Sequence, residues 1–322
     1  MGSVTLAESA KLSQNDLVAG VIENVITVDR MYEVLNFDAI DGNALAYNRE
    51  NSLAPVATTG IGSADGDIGA GASGTNSTER AAAKNPATFT QVTSTLTTIL
   101  GDAEVNGLIQ ATRSGDGNDQ TAVQIASKAK SAGRKYQDMF INGDGSNFTF
   151  PGLLALCASA QIVATATNGS ALSFALMDQV MDLVTDKDSK VDYMSMHART
   201  IRSFKALLRG LGGARIDETL ALPSGDKVPV YEGVPIFRND YIPTDQTQAG
   251  GTALTTVFAG TMDDGSRSHG IAGLTAQNQA GISVVDVGES EFRDERIWRV
   301  KWYAGLALFS EKGLAMIAGI TN

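Results

Sequence analysis

The chain is poor in the residues that most metal and redox chemistry requires. It has one cysteine, Cys157, and two histidines, His197 and His269. A single cysteine excludes a disulfide framework within the chain and any cysteine-rich zinc module, and two histidines starve a multi-histidine metal centre. Proline is scarce, 7 residues in 322, whereas glycine reaches 34, a balance that favours tight turns and mobile loops over stiff ones. Only 19% of residues are charged, and the excess is acidic: Asp and Glu number 36 against 25 Lys and Arg, for a formal net charge of −11. The chain is therefore neither a disordered acidic polymer nor, on bulk charge, a nucleic-acid binder. No run of 18 apolar residues occurs, so no transmembrane helix is expected. Met1 to Ala10 lacks the basic stretch and apolar core of a secretory signal, and a cytoplasmic site of synthesis is expected.

Spellings associated with catalysis occur without their context. Gly69-Ala-Gly-Ala-Ser-Gly74 has the GxGxxG form, but a Gly/Asp loop precedes it and no acidic residue follows at the distance a dinucleotide site needs. Asp263, Ser266, Ser268 and His269 lie within one short segment, whereas triad members are normally assembled by the fold, and no GxSxG elbow accompanies them. That segment reads as a polar turn. Ser224-Gly-Asp-Lys227 spells SxxK but follows Pro223 and reads as a turn between strands. Cys157 sits in an apolar run and reads as a small buried residue. His197 abuts a helix start with no ligand at metal spacing. No enzyme, cofactor or metal is assigned.

Positive signals are architectural. Ser13 to Asp16 opens a helix reaching about Val28, with Leu17, Val21, Val25 and Val28 on one face. Met31 to Tyr47 reads as strand material broken by a hairpin signal at Asp41-Gly42-Asn43. Between Gly60 and Gly74 the glycines Gly60, Gly62, Gly66, Gly69, Gly71 and Gly74 are separated mainly by Ala, Ser and Asp, with Ile61 and Ile68 the two large apolar residues. Such a stretch has too little apolar area to offset its ordering entropy. Thr88 to Leu100 is rich in Thr, Val and Ile and reads as strand, while Phe89, Val92, Leu96 and Ile99 also fit a helical period. Tyr47 to Phe89 is thus a long two-stranded excursion with an apolar-poor tip. Because an isolated hairpin is marginal in water, it needs something to lie on, and a neighbouring copy of the chain is the candidate.

Asp119 to Asn142 is the clearest helix, with Ile125, Ala129, Ala132, Tyr136 and Met139 on one side and Lys128, Lys130, Arg134 and Lys135 making its exposed side basic. A solvated charged face is the simpler reading of those four, and a nucleic-acid stripe is the functional one. A second unit begins near Ser170. It holds a helix through Leu172, Leu176, Val180 and Val184, a buried-type strand Tyr193 to Met196, and a helix Arg199 to Leu211. No acidic residue occurs between Tyr193 and Ile216. Two short strands flank Glu232-Gly233, and further strands are expected at Thr256 to Ala259, Ile282 to Val287 and Arg296 to Phe309. Helices and strands alternate without a βαβ rhythm, which points to an α+β fold.

The order of these parts resembles the major capsid protein of tailed bacteriophages, with the Hong Kong 97 phage capsid fold. The resemblance runs from Ser13 to Ile320. Its most specific signature is Phe140-Ile-Asn-Gly-Asp-Gly145 followed by Pro151-Gly-Leu-Leu154, as at the end of the family's spine helix. Tyr193 to Thr200 looks like the strand-to-helix entry of its axial domain, Tyr231-Glu-Gly-Val-Pro-Ile236 like its Gly-x-Pro strand, and Glu295 onward like its closing peripheral strands. The resemblance implies an N-terminal arm with first strands at 1–46 and an extended two-stranded loop at 47–89. It implies a peripheral domain at 90–169 with the spine helix at 119–142, an axial domain at 170–274, and closing peripheral strands at 275–322.

The function so implied is a structural shell subunit, assembling as a homo-oligomer of pentamers and hexamers into an icosahedral head around double-stranded DNA, which it touches weakly and without sequence preference. An encapsulin-type nanocompartment shell is the alternative. A portal is an expected partner; because the chain reaches its first helix soon after Met1, the scaffold is expected either to be a separate protein or not to be needed; a cement protein would be a further partner, and no membrane is involved. The expected location is the virion, assembled in the host cytoplasm. Inter-subunit contacts are expected at the loop glycines and at Arg49, Arg80 and Lys84, and the basic helices at 128–135 and 199–215 would meet acidic neighbours or packaged DNA, with Lys128, Lys130, Arg134 and Lys135 as an inner basic face. The loop tip lacks lysine, Lys84 lying near its base, so a shell without covalent cross-links is expected.

Overall fold

The computed structural model describes residues 31–56, 85–113, 120–210, 219–222, 225, 227–248 and 251–321. The helix expected at 13–28, the glycine run 60–74, Arg80, Lys84, Asp119 and Ser224 lie outside the described residues.

After a single 3-10 turn, Met31–Glu33, the chain forms β1 (Phe37–Ile40), β2 (Ala44–Ser52), β3 (Thr88–Thr95), β4 (Thr97–Asn106), α1 (Gly107–Arg113) and α2 (Gln120–Asn142). There follow α3 (Leu153–Leu156), β5 (Ile162–Ala164), α4 (Phe174–Leu183), β6 (Tyr193–Met196), α5 (Ala198–Gly210), β7 (Thr219–Ala221), β8 (Lys227–Tyr231) and β9 (Val234–Arg238). The last elements are β10 (Gln246–Gln248), β11 (Gly251–Gly260), β12 (Ile271–Ala276), β13 (Ser283–Glu289), β14 (Glu295–Leu308) and β15 (Leu314–Ile320). The α+β reading is thereby met. Among the described residues no helix is long and apolar enough to cross a membrane.

Two compact units divide these elements. The smaller comprises the described residues of 98–136 and 281–302; the larger holds the rest. In the smaller unit, β13 runs antiparallel to the first part of β14, from Ser283 opposite Lys301 to Glu289 opposite Arg296, with an irregularity between Asp286 and Gly288. β4 also pairs with β14. Arg299 grips both carboxylate oxygens of Asp102 at 2.8 Å, and this guanidinium holds the Asp102 carboxyl below the usual carboxylate range. Ile99, Ala103, Val105, Ala132, Tyr136 and Val300 are buried here, and Tyr136 lies against Trp302 with ring centroids 4.6 Å apart.

The larger unit is built on an eight-stranded sheet in the order β5-β15-β11-β6-β9-β8-β7, with β10 added beside β11. β6 is buried along its whole length. α4 and α5 pack on one face of the sheet, where Met177, Val180, Ile201, Phe204 and Leu208 join Met194, Met196 and Ile236 in one core cluster. The period of α5 explains why it does so: Ile201, Phe204 and Leu208 are spaced three and four apart and are its buried side. Ser173 caps α4 by accepting from the Leu176 N–H. β8 and β9 meet through Glu232 and Gly233, at φ of 48° and 84°, the pair of positive values that a type I′ two-residue hairpin requires. This matches the turn expected there.

Elsewhere in this unit β1 lies parallel to β12, and β12 antiparallel to residues 304–308 of β14. The hairpin expected at Asp41-Gly42-Asn43 is therefore a correction. The chain does turn there, with Gly42 at φ of 117°, but β1 pairs with β12 and β2 with β3. Backbone bonds from Gly273 N–H to Asn36 and from Gln277 N–H to Ile40 hold β1 in its sheet, while Leu96 N–H donates to Asn43 on the far side of the turn. The turn is a crossing from one sheet to another.

α2 fills 23 residues, as its periodicity predicts. At its end the Gly143 N–H donates to Met139 O at 2.9 Å, and the Gly152 N–H donates to Gly143 O at 2.8 Å. A Cβ on Gly143 would fall 2.1 Å from Phe150 O, and one on Gly152 would fall 2.5 Å from Met139 O. Only glycine admits backbones this close. The Gly-Asp-Gly and Pro-Gly-Leu-Leu spellings thus mark two ends of one contact.

Candidate assembly surface

The paired ribbon is packed on the chain's own body at its base and exposed beyond it. β2 and β3 are antiparallel from Ala44 opposite Thr95 to Ser52 opposite Thr88. Alternation puts Leu45, Tyr47 and Arg49 on one side of the ribbon with their cross-strand partners Ser94, Val92 and Thr90. That side rests on the chain's own body. Leu45, Tyr47 and Leu96 pack on the cluster Ile40, Ala272, Leu274, Ala307 and Phe309. The Tyr47 and Phe309 rings meet edge-on with centroids 5.2 Å apart, and the Tyr47 phenol donates to Leu308 O at 2.5 Å.

Arg49 completes this attachment. Its Nε donates to Phe309 O at 2.9 Å, a second nitrogen donates to Leu308 O, and a third pairs with Glu311 at 2.7 Å. The guanidinium also lies over the Tyr47 ring, 5.6 Å from its centroid. Arg49, expected between subunits, is instead committed within its own chain. The expectation that the whole excursion lacks a resting place on its own polypeptide is corrected to the same extent: the base is anchored. Nothing in the sequence links position 49 to the carbonyls of 308 and 309.

Beyond Arg49 the pattern changes. Every residue from Glu50 to Val56 is exposed, Leu53 by 77% and Val56 by 93%, and Phe89 on β3 is 66% exposed. These are large apolar groups on a two-stranded ribbon, which cannot shield them itself.

The four basic residues of α2 do not make one stripe. At about 100° per residue, Lys128 and Lys135 share a side near the edge of the buried face, while Lys130 and Arg134 lie roughly opposite the buried Ala132, Tyr136 and Met139. The expected basic face is thereby split in two. The aliphatic stem of Lys128 lies by Gly101, and its charge also helps lower the Asp102 carboxyl.

His197 and the acidic side chains of the 263–269 segment bond to nearby main chain. His197 Nδ1 accepts from the Arg199 N–H at 3.1 Å and caps α5; burial and nearby arginines lower its pKa, against the opposing pull of Asp240. Asp263, Asp264 and His269 bring ligand-type atoms within 4.8 Å of one another. The two Asp263 oxygens accept from the N–H groups of Gly265 and Arg267, and Asp264 accepts from that of Ser266, so these carboxylates shape the polar turn expected there. Sequence reasoning missed α1 altogether, whose Leu108 and Ile109 are exposed and give it no apolar face to betray it.

An anchored ribbon, a long helix ending in a Gly-Asp-Gly turn and a mixed sheet carrying two helices define the Hong Kong 97-type capsid fold, and the chain has that fold. The likeness to solved structures runs nearly end to end. The holo-SrpI encapsulin complex from Synechococcus elongatus matches with a TM-score of 0.71 at 16% identity, over 99% of this chain and 96% of that one. The capsid of the native GTA particle matches with a TM-score of 0.62 at 12% identity, over 99% of both chains. The capsid of Myoviridae phage XM1 gives 0.60 at 12%, over 99% of this chain and 100% of that one. No family model matches the sequence, and no curated protein matches it.

Proposed function

We propose that the chain is the subunit of a closed protein shell, the major capsid protein of a phage-type icosahedral head enclosing double-stranded DNA. The observation that carries this reading is the ribbon: its base is fixed to its own body while Leu53, Val56 and Phe89 stand uncovered beyond it. Burying such groups is worth about 1.5–3 kcal/mol each, and a neighbouring copy repeated around a shell supplies the surface. Many modest contacts of this kind add up through closure without any single tight site. In this reading the glycine run 60–74, with Arg80 and Lys84, lies against the next subunit. Residues 170–274 form the axial domain of pentamers and hexamers, and 90–169 with 275–322 form the peripheral domain. The net charge of −11 suits a container that must release its contents. A portal, a separate scaffolding protein and a cement protein are the partners such a head would use, with assembly in the host cytoplasm.

An encapsulin-type compartment is the second reading, favoured by the TM-score of 0.71 with an encapsulin complex. Expressing the chain and imaging it by negative stain tests both. Closed shells are expected. Large shells that fill with DNA in the presence of a portal support the head, and small shells holding a protein cargo support the compartment. Deleting residues 60–74 should leave a soluble, folded subunit that assembles poorly; normal shells from that deletion, or a wild-type chain that stays monomeric at high concentration, would overturn the proposal.

A further inference from the structure

The two helices that cover one face of the eight-stranded sheet carry opposite charge on their outer sides. Arg202, Lys205 and Arg209 repeat at three and four residues along α5 and are all exposed, while the opposite side of that helix is buried. Asp178 and Asp182 are one turn apart on the outer side of α4, opposite the buried Met177 and Val180. The Tyr231 hydroxyl donates to Asp178 at 2.6 Å, which brings the turn bearing exposed Glu232 to the same helix. Phe174, Phe204 and Tyr231 form an aromatic cluster joining α4, α5 and β8, with centroids 5.8–6.4 Å apart. The acidic and basic surfaces are therefore fixed to one rigid core, so neither can fold over to neutralise the other.

We infer that these surfaces are the two sides of a head-to-tail contact: the basic stripe of α5 in one copy meets the acidic side of α4 and the 232 turn in the next. The occupant is a second copy because the chain itself supplies both signs, on two different patches of one unit. A contact between different patches is heterologous, and repetition of it generates a ring when the rotation closes. Complementary charge sets orientation and register and speeds encounter, and it repels the wrong pairing of α5 with α5. The inference rests on the shell reading above and assigns the residues that orient subunits within its rings.

Charge reversal tests it. One variant carries R202E and K205E; another carries D182K and E232K, sparing Asp178 and its bond to Tyr231; a third carries all four changes. Each single-sided variant should fold with an unchanged circular dichroism spectrum and lose at least tenfold in ring or shell yield. The four-fold variant should regain most of it, and wild-type ring assembly should weaken on going from 0.1 M to 1 M salt, where screening shortens to about 3 Å. Single-sided variants that assemble like wild type overturn the inference and leave the shell reading intact. So does a loss confined to nucleic-acid packaging, which would make the basic stripe a polyanion surface. Failure of the four-fold variant to recover while correctly folded also overturns it. If wild type forms charge-dependent rings but never shells, the inference stands and the shell reading falls; a wild type that remains monomeric sinks both.

Discussion

The guanidinium of Arg49 donates from Nε to the main-chain oxygen of Phe309 at 2.9 Å, tying the base of the ribbon to the chain's closing strands. The Arg49 side chain is only 13% exposed, so its bonds to carbonyls matter more than its pairing with Glu311, which is 58% exposed. Arg49→Met keeps the stem and removes the donors. It should lower the stability of the unassembled subunit by about 1.5–3 kcal/mol, the usual range for a hydrogen bond to a charged group, read by urea unfolding. Arg49→Lys should not restore it, because one ammonium cannot reproduce the fork that reaches both Phe309 and Leu308. Unchanged subunit stability combined with lost assembly would place the role of Arg49 between copies after all.

Much of the fold was legible where local chemistry decides it. α2, α4, α5 and the turn at Glu232-Gly233 follow from apolar spacing and from backbone demands that few residues meet. The ribbon was legible as a two-stranded excursion around a glycine run, its second strand rich in Thr. What was not legible depends on distant partners. The Asp41-Gly42-Asn43 turn spells a hairpin, yet its two strands enter different sheets, because β12, more than 200 residues later, offers β1 a better neighbour. The split of Lys128 and Lys135 from Lys130 and Arg134 is a matter of helical angle, which a count of basic residues along a segment conceals. The anchoring of Arg49 involves main-chain oxygens, and carbonyls leave no mark in a sequence.

The contact between Gly143 and Gly152 should be intolerant of a methyl group. A Cβ at either position would sit 2.1–2.5 Å from a main-chain oxygen, and backbone cannot move aside as a side chain can. Gly152→Ala should cost at least about 1–3 kcal/mol, the range for overpacking a well-filled core, and Gly143→Ala should cost more. Denaturant unfolding of the soluble subunit measures both. Gly133→Ala in the same helix, where a Cβ meets nothing within 4 Å, is the control and should be neutral or slightly stabilising.

Acid should loosen the turn after α2. Asp144 accepts from the Ser146 N–H, the Ser146 hydroxyl and the Thr149 hydroxyl, and these bonds lower its carboxyl pKa from 3.8 to about 2. The folded value lies below the unfolded one. Its contribution is therefore complete above about pH 4 and fades as pH falls toward 2. The same turn holds Asn147 and Phe148 at φ of 48° and 62° and displays the Phe148 ring, 96% exposed. An NMR titration of Asp144 should give a midpoint near 2, and Asp144→Asn should remove that acid dependence. A midpoint near 3.8 would show that the three bonds are not held in solution.

The lone thiol should be unreactive for a reason that pH can expose. Cys157 is half-buried, and its sulfur lies 3.7 Å from the Gln161 oxygen and 3.8 Å from that of Ala158, geometry that suits a neutral S–H and disfavours a thiolate. Burial pushes its pKa up from 9.0 to about 11. At pH 8 the thiolate fraction is then about a hundredfold below that of an ordinary thiol, since each unit of pKa is a factor of ten. Alkylation by iodoacetamide should be slower than in the urea-unfolded chain by at least that factor, and should accelerate about tenfold per pH unit up to pH 10. Because the folded value is the higher one, the neutral thiol favours the fold below pH 9 and that preference is lost as pH rises toward 11. Fast labelling at pH 8 with no pH dependence would mean the segment opens freely, and would detach Cys157 from the closing strand β15, whose Leu314 oxygen lies 4.0 Å from its sulfur.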